Sequence, residues 1–331
     1  MFKKKLWIYC LIVVCLAVLP ELTGCNSKTL QDPRNFNIIT GPDGNLWFTD
    51  NRGNKIGEIS PATGRVTEYI IPTKGCYPIG IAAGPDGNLW FTESTGNKIA
   101  KIAPSSGKIT EYNIPTQMAA VDGIAAAPDG NLWFTEYLSN NIGSISPATG
   151  AVFEYGIPTG QCGPASIAAG SDGNLWFAEF SGNNIGKIST AGTITEFAVP
   201  TSDSYPGAIV LGADGNLWFV EQNSNKIAMI SPATGKITEY DVPTAAAGLL
   251  GIAAGPDGSL WFTEQNADKI GKISPSSGTV TEYVIPIAKV APNEIAAGPD
   301  GNLWFSQTGV SKIGKISPAT GKITEYNIPN N

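Results

Sequence analysis

Seven tryptophans constrain this chain more than any other feature. Trp47, Trp90, Trp133, Trp176, Trp218, Trp261 and Trp304 recur at intervals of 43, 43, 43, 42, 43 and 43 residues. Each stands in one repeating phrase, which in the second copy runs Ile81-Ala82-Ala83-Gly84-Pro85-Asp86-Gly87-Asn88-Leu89-Trp90-Phe91-Thr92-Glu93 and continues through Asn97-Lys98-Ile99 to Gly107-Lys108-Ile109-Thr110-Glu111-Tyr112. A period near 43 that holds four short strand-like runs is the signature of a propeller blade. Strand A ends in small residues that can crowd towards an axis. Pro-Asp-Gly-Asn turns the chain into strand B, because proline presets φ and glycine accepts positive φ. The consecutive Leu89-Trp90-Phe91 fits a strand buried on both faces between blades. Pro-Ser-Ser-Gly or Pro-Ala-Thr-Gly then joins strand C to strand D, whose lysines and glutamates suit an outer edge. Seven copies predict an all-β, seven-bladed β-propeller of four-stranded antiparallel blades over residues 36–331. The last blade ends with its own strand D, so the ring is expected to close without a shared blade.

Composition agrees. Apolar residues make up 42% of the chain and charged residues 15%, enough to fill a core, and 39 glycines with 24 prolines supply the turns. Before residue 36 the pattern differs. Lys3, Lys4 and Lys5 precede an apolar run from Leu6 to Leu19, which is short for a membrane span, and Leu22-Thr23-Gly24-Cys25 follows. This resembles the lipobox of bacterial lipoproteins. The expectation is a signal peptide over 1–24, lipid on Cys25 and a tether over 25–35, placing the protein at the cell surface or in the periplasm. Removing 1–24 leaves 18 basic and 27 acidic residues, a net charge of −9. That balance excludes a phosphate-backbone partner, and nucleic acid is not expected. Nothing suggests an oligomer, so a monomer is expected.

The chain has no histidine, which excludes Ser-His-Asp and Cys-His nucleophile systems and histidine-ligated zinc. Cys76 and Cys162 hold equivalent positions two blades apart. In a sevenfold ring that separates them by about 16 Å, beyond the roughly 7 Å limit for a disulfide, so both are expected to be free thiols.

The A–B and C–D turns fall on one face and hardly vary. The D–A linkers and B–C loops fall on the other face and differ from copy to copy, as Lys74-Gly75-Cys76-Tyr77 and Ser202-Asp203-Ser204-Tyr205 show. Binding sites favour such loops on a rigid scaffold. Strand B ends there in Asp50, Glu93, Glu136, Glu179, Glu221 and Glu264, with Gln307 in the seventh copy. Four of these precede a lysine by five residues (Lys55, Lys98, Lys226, Lys269) and are expected to form partly exposed ion pairs with it. Asn141 and Asn184 replace that lysine beside Glu136 and Glu179, so these two carboxylates are the candidates for a cation or a ligand amine. Tyr77, Tyr137, Phe180 and Tyr205 are the candidate aromatic contacts, and the tether is expected to leave from this face, bringing it near the membrane.

The phrase Gly-Pro-Asp-Gly-Asn-Leu-Trp-Phe-Thr-Glu, followed by Asn-Lys-Ile-Gly-Lys-Ile and Gly-Lys-Ile-Thr-Glu-Tyr-x-Ile-Pro, closely resembles the streptogramin B lyase (virginiamycin B lyase) family through all seven copies. The resemblance implies a site at the central opening and magnesium-assisted elimination at the ester of a cyclic depsipeptide. It also implies histidines where this chain has Leu250 and Asn293, and a glutamate just after Trp304-Phe305, where Ser306, Gln307 and Thr308 stand. Asn293 and Gln307 can hydrogen-bond a ligand but cannot take its proton near neutral pH. The expected function is therefore ligand or protein binding through the variable face. The alternative is a carbon–oxygen lyase or hydrolase using a carboxylate base and a divalent ion, with magnesium as its cofactor.

Overall fold

The computed structural model describes residues 37–328, so the signal peptide, Cys25 and the tether lie outside the described residues. Twenty-eight strands form seven four-stranded antiparallel sheets, each built from four consecutive strands. In the second blade strand A is Pro78–Ala83, strand B is Leu89–Glu93, strand C is Lys98–Ala103 and strand D is Lys108–Asn113. Strand A lies innermost and packs on the strand A of each neighbouring blade.

The Leu-Trp-Phe run of strand B makes the ring. Alternate side chains point to opposite faces, so Trp90 enters the core shared with the third blade while Leu89 and Phe91 enter the core shared with the first. Repeated around the ring, this leaves all seven tryptophans at most 1% exposed. Each tryptophan also stacks on the strand D aromatic of its own blade, as Trp90 does on Tyr112 with centroids 5.4 Å apart. That aromatic covers a glycine in the next blade's C–D turn. Gly150 sits at φ +72°, and a Cβ there would stand 2.6 Å from the Tyr112 ring, so both backbone and packing require glycine.

The ring closes by side-on packing of complete blades. Ile38, Leu46, Phe48 and Ile59 of the first blade share a core with Trp304, Ile313 and Ile328. The Thr40 hydroxyl donates to the Ala297 carbonyl at 2.6 Å.

Two recurrent polar devices hold the turns. The aspartate of Pro-Asp-Gly-Asn accepts the buried tryptophan N–H, as Asp86 does from Trp90 at 2.9 Å. Burial would raise the Asp86 pKa, but hydrogen bonds from Trp90, Asn88 and Lys101 outweigh it and hold the group at about 2. Asn97 adopts φ +55°, a conformation asparagine tolerates better than most residues. Its amide donates to the Ile114 and Thr116 carbonyls and its oxygen accepts the Ala119 N–H, stapling the B–C loop to the D–A linker.

Candidate functional site

The six strand B carboxylates are not partly exposed. Asp50 is 3% exposed, and Glu93, Glu136, Glu179, Glu221 and Glu264 are fully buried. The lysines expected to pair with them reach instead to the strand D glutamates: Lys55 to Glu68 at 2.8 Å, Lys98 to Glu111 at 2.7 Å, Lys226 to Glu239 at 2.8 Å and Lys269 to Glu282 at 2.7 Å. The reason is hydration. Each lysine pairs where both partners keep some contact with solvent, whereas Glu93 lies under the loop, against Gly96 and the Cβ of Cys76. An ammonium there would be stripped of water.

Glu111 does more than pair with lysine. It accepts from the Thr73 N–H and hydroxyl, both at 3.0 Å, and so clamps the linker that enters its own blade. Four further linkers carry a threonine held in this way, by Glu154, Glu196, Glu239 and Glu282. In the seventh blade Ile287 replaces the threonine, and Glu325 turns to Gln307 and Lys312.

The expectation that Glu136 and Glu179 are the free carboxylates is corrected. Asn141 donates to Glu136 at 3.1 Å, Ser139 also donates to it, and Asn184 donates to Glu179 at 3.0 Å. Both oxygens of Glu93 and of Glu264 lack a hydrogen-bond partner, so these are the less satisfied pair. Burial, reinforced by nearby Glu111, pushes Glu93 up to about 8. Burial likewise raises Glu179, Glu221 and Glu264 to about 7, and raises Glu136. Cys76 and Cys162 are separate buried thiols beside Glu93 and Glu179, raised first by burial and then by those carboxylates.

Gln307 is fully buried and donates to Glu325 at 2.9 Å, Asn293 is 6% exposed, and Leu250 is half-buried. Tyr77 and Tyr205 directly precede an innermost strand and so stand at the mouth of the channel. Phe180 stacks on Tyr205 with centroids 5.0 Å apart, and Tyr137 lies over Gly163 at the equivalent place one blade earlier. All four aromatics are half-buried. Phe180 and Tyr205 therefore form one stacked pair between the fourth and fifth blades, Tyr137 holds the equivalent place one blade earlier, and Tyr77 stands before the second blade.

Two residues absent from the sequence reading occupy the channel. At the variable-face end of the inner strand in the second to seventh blades the pairing with strand B shifts register, as between Pro78 and Ile81. In the second blade a strand B hydroxyl fills the gap: Thr92 accepts the Gly80 N–H and donates to the Asp122 carbonyl of the next blade, both at 2.8 Å, whereas Ala178 and Val220 stand at this position in the fourth and fifth blades. The two residues thus freed from the ladder belong to the channel wall. Among the described inner strands these positions hold two ionisable side chains, Asp122 in the third blade and Glu294 in the seventh. The Glu294 carboxylate lies over Gly251, 3.1 Å from where a Cβ would stand. Both side chains keep part of their surface open to the channel, and desolvation by the surrounding wall raises Asp122 to about 7 and Glu294 to about 8, with the Asp122 charge adding to the rise at Glu294. No basic group contributes to either. The signal in the sequence was a departure from the repeat: where the second blade reads Pro78-Ile79-Gly80, the third reads Val121-Asp122-Gly123 and the seventh Pro292-Asn293-Glu294.

The positions that the resemblance assigns to catalysis hold an aliphatic side chain and two buried amides, and these residues do not fit a magnesium ion, which takes carboxylate ligands. Among the described residues no group of three or more histidine, cysteine, aspartate or glutamate side chains could hold a metal.

The model of the virginiamycin B lyase family matches residues 6–247 and 231–331. No curated protein matches the chain. A solved streptogramin B lyase is 38% identical, with 86% of this chain and 94% of that one covered and a TM-score of 0.81. Virginiamycin B lyase from Staphylococcus aureus is 40% identical over 87% of this chain and 96% of its own, also with a TM-score of 0.81. A catalytically inactive histidine-to-alanine form of that enzyme, solved with quinupristin, is 41% identical over the same shares with the same TM-score. The repeat, the ring of complete blades and these matches agree, and the chain belongs to the virginiamycin B lyase family.

Proposed function

We propose that this protein is an exported, lipid-anchored binding propeller that takes its ligand at the mouth of the variable face without performing lyase chemistry. The observation that carries the reading is the absence of histidine, with Leu250, Asn293 and Gln307 at the positions where the family's catalytic groups are expected. The Staphylococcus aureus relative is catalytically inactive once a single histidine is replaced by alanine. Asn293 and Gln307 are neutral amides, already buried, and take no proton. Lys3 to Lys5, the apolar run and Leu22-Thr23-Gly24-Cys25 support export and lipid on Cys25.

The ligand matched by the mouth has an apolar or aromatic part and a basic group. The Phe180–Tyr205 stack, with Tyr137 one blade earlier, offers ring surface, while Asp122 and Glu294 offer two carboxyls to which no basic group contributes. A ligand ammonium in the channel would favour the ionised form of both and lower their pKa. A second reading follows from the same pair. Two carboxyls that titrate near neutrality could abstract a proton from a bound ester, giving a lyase that needs no histidine.

A thermal-shift screen of cationic and neutral cyclic peptides, run on the wild type and on Glu294→Gln, tests the binding reading. Cationic ligands should raise the wild-type Tm and lose most of that effect in the variant. Hits that are neutral and indifferent to Glu294→Gln would refute it.

A further inference from the structure

The variable face is not uniform, and its asymmetry is centred on the blade where the chain enters. We propose that the rim of the variable face across the sixth, seventh and first blades rests on an anionic phospholipid bilayer, so that the propeller leans on the membrane and the third to fifth blades stay open to ligand. This inference rests on the reading of Cys25 as lipidated.

The last residue of strand D carries the first observation. In register with the first residue of strand C stand Ile70, Asn113, Gly156, Ala198, Asp241, Val284 and Asn327 in the seven blades. A large apolar side chain occurs here in the first and sixth blades alone, with Ile70 75% and Val284 68% exposed. Ile287 adds to them. It replaces the threonine clamped in the other linkers and is 41% exposed. Nothing in the packing of the blades calls for these substitutions, since the other copies hold small or polar residues there.

Charge follows the same axis. Among the described residues the exposed basic ones of this face are Arg52 and Lys74, beside the first blade, and Lys289, in the linker from the sixth to the seventh. The exposed acidic ones, Asp203 and Asp241, belong to the fifth blade and the linker before it. Exposed apolar side chains also stand on the other side of this face, at Met118 and Leu138, so it is their conjunction with basic charge that distinguishes the rim across the sixth to first blades; an anionic surface would attract that rim and repel the Asp203 side.

Chain length agrees. About ten residues join Cys25 to the first blade, a reach of at most about 35 Å. The first inner strand, Ile38–Thr40, begins at the variable face, so a lipid on Cys25 draws that face towards the bilayer. Apolar side chains flanked by lysine and arginine then meet acyl chains and headgroups together.

The test uses the full lipidated chain reconstituted in vesicles of phosphatidylglycerol and phosphatidylethanolamine. Single cysteines at Ile70→Cys, Ile287→Cys and Leu138→Cys are labelled with bimane and quenched with doxyl-labelled lipid; the native Cys76 and Cys162 are buried and do not compete. Leu138 is an exposed apolar residue on the opposite side of the same face. Quenching at positions 70 and 287 should be at least twice that at 138, and should fall to the level of 138 when Arg52, Lys74 and Lys289 are all changed to glutamate. Equal quenching at the three positions, or quenching that survives the charge reversal, overturns the assignment. Mass spectrometry of the extracted chain separates the causes of failure. Absence of a diacylglyceryl group on Cys25 overturns the anchor and the docking together, whereas a lipidated chain with unquenched labels overturns the docking alone.

Discussion

Replacing Glu93 by glutamine should make the propeller gain stability over the wild type as pH rises. Glu93 is fully buried, no well-formed hydrogen bond reaches either of its oxygens, and its pKa is raised to about 8 by burial, with Glu111 adding to the rise against the smaller opposing effects of Lys98 and the Cys76 thiol. An acid raised above its unfolded value holds its proton more tightly when folded, so its contribution is fully present below the unfolded pKa and is lost as pH climbs through the folded one. For Glu93 that window runs from about 4.5 to about 8. Between pH 5 and pH 8 the wild type should lose about 3–4 kcal/mol through this one group, at roughly 1.4 kcal/mol per pH unit. Glutamine has nearly the same shape and no titrating proton. At pH 5 the variant should match the wild type or be slightly less stable, and by pH 8 it should have gained those 3–4 kcal/mol in relative terms. At roughly 2–3 °C per kcal/mol for a domain of this size, the difference in Tm between the two proteins should move by about 6–12 °C. Thermal unfolding of both at half-unit steps of pH provides the assay. A difference that stays flat from pH 5 to pH 8 would refute the assignment of Glu93 as a neutral buried acid.

Other consequences follow from the same structure. Glu111→Gln should break the clamp on Thr73 and the bond to Lys98, costing about 1–3 kcal/mol by urea unfolding at pH 7. Asn97→Ala removes three hydrogen bonds and leaves alanine at positive φ, so it should cost at least as much and increase hydrogen exchange in the linker around Ala119. Asp86 is held at about 2, below its unfolded value, so its contribution is present above pH ~4 and lost as pH falls through 2; Asp86→Asn should flatten the acid limb of the stability curve. Asp122→Asn should lower the Glu294 pKa, because one source of its rise is the neighbouring carboxylate; carboxyl-carbon NMR titration would show the midpoint fall, and an unmoved midpoint would separate the two groups.

The architecture was legible because the repeat states it seven times. Leu89-Trp90-Phe91 sits where the doubly buried strand was expected, and the ring closes on complete blades. What the repeat could not convey was partnership. Glu93 and Lys98 do face each other across strands B and C, yet the ammonium keeps its water by turning to Glu111 in strand D. Spacing along the chain carries no information about that choice. The turn chemistry of Pro-Asp-Gly-Asn accounts for only part of its aspartate, whose carboxylate also satisfies the N–H of the tryptophan four residues on, as Asp86 does for Trp90. The channel residues were missed for the opposite reason. Asp122 and Glu294 occur once each, at adjacent rather than identical repeat positions, so comparison of the copies shows them only as irregularities. Their proximity is a product of ring closure, which brings the third and seventh blades across one axis.

Incubation of the folded chain with a streptogramin B depsipeptide and magnesium, read by chromatography coupled to mass spectrometry, tests the central claim most directly. The Staphylococcus aureus enzyme run in parallel provides the positive control. The account predicts that the depsipeptide returns with unchanged mass and unchanged retention from this protein. An unchanged mass at a new retention time would mean elimination, and a gain of one water would mean hydrolysis. Either result would contradict a propeller that binds without breaking bonds, and would turn attention to Asp122 and Glu294 as its base.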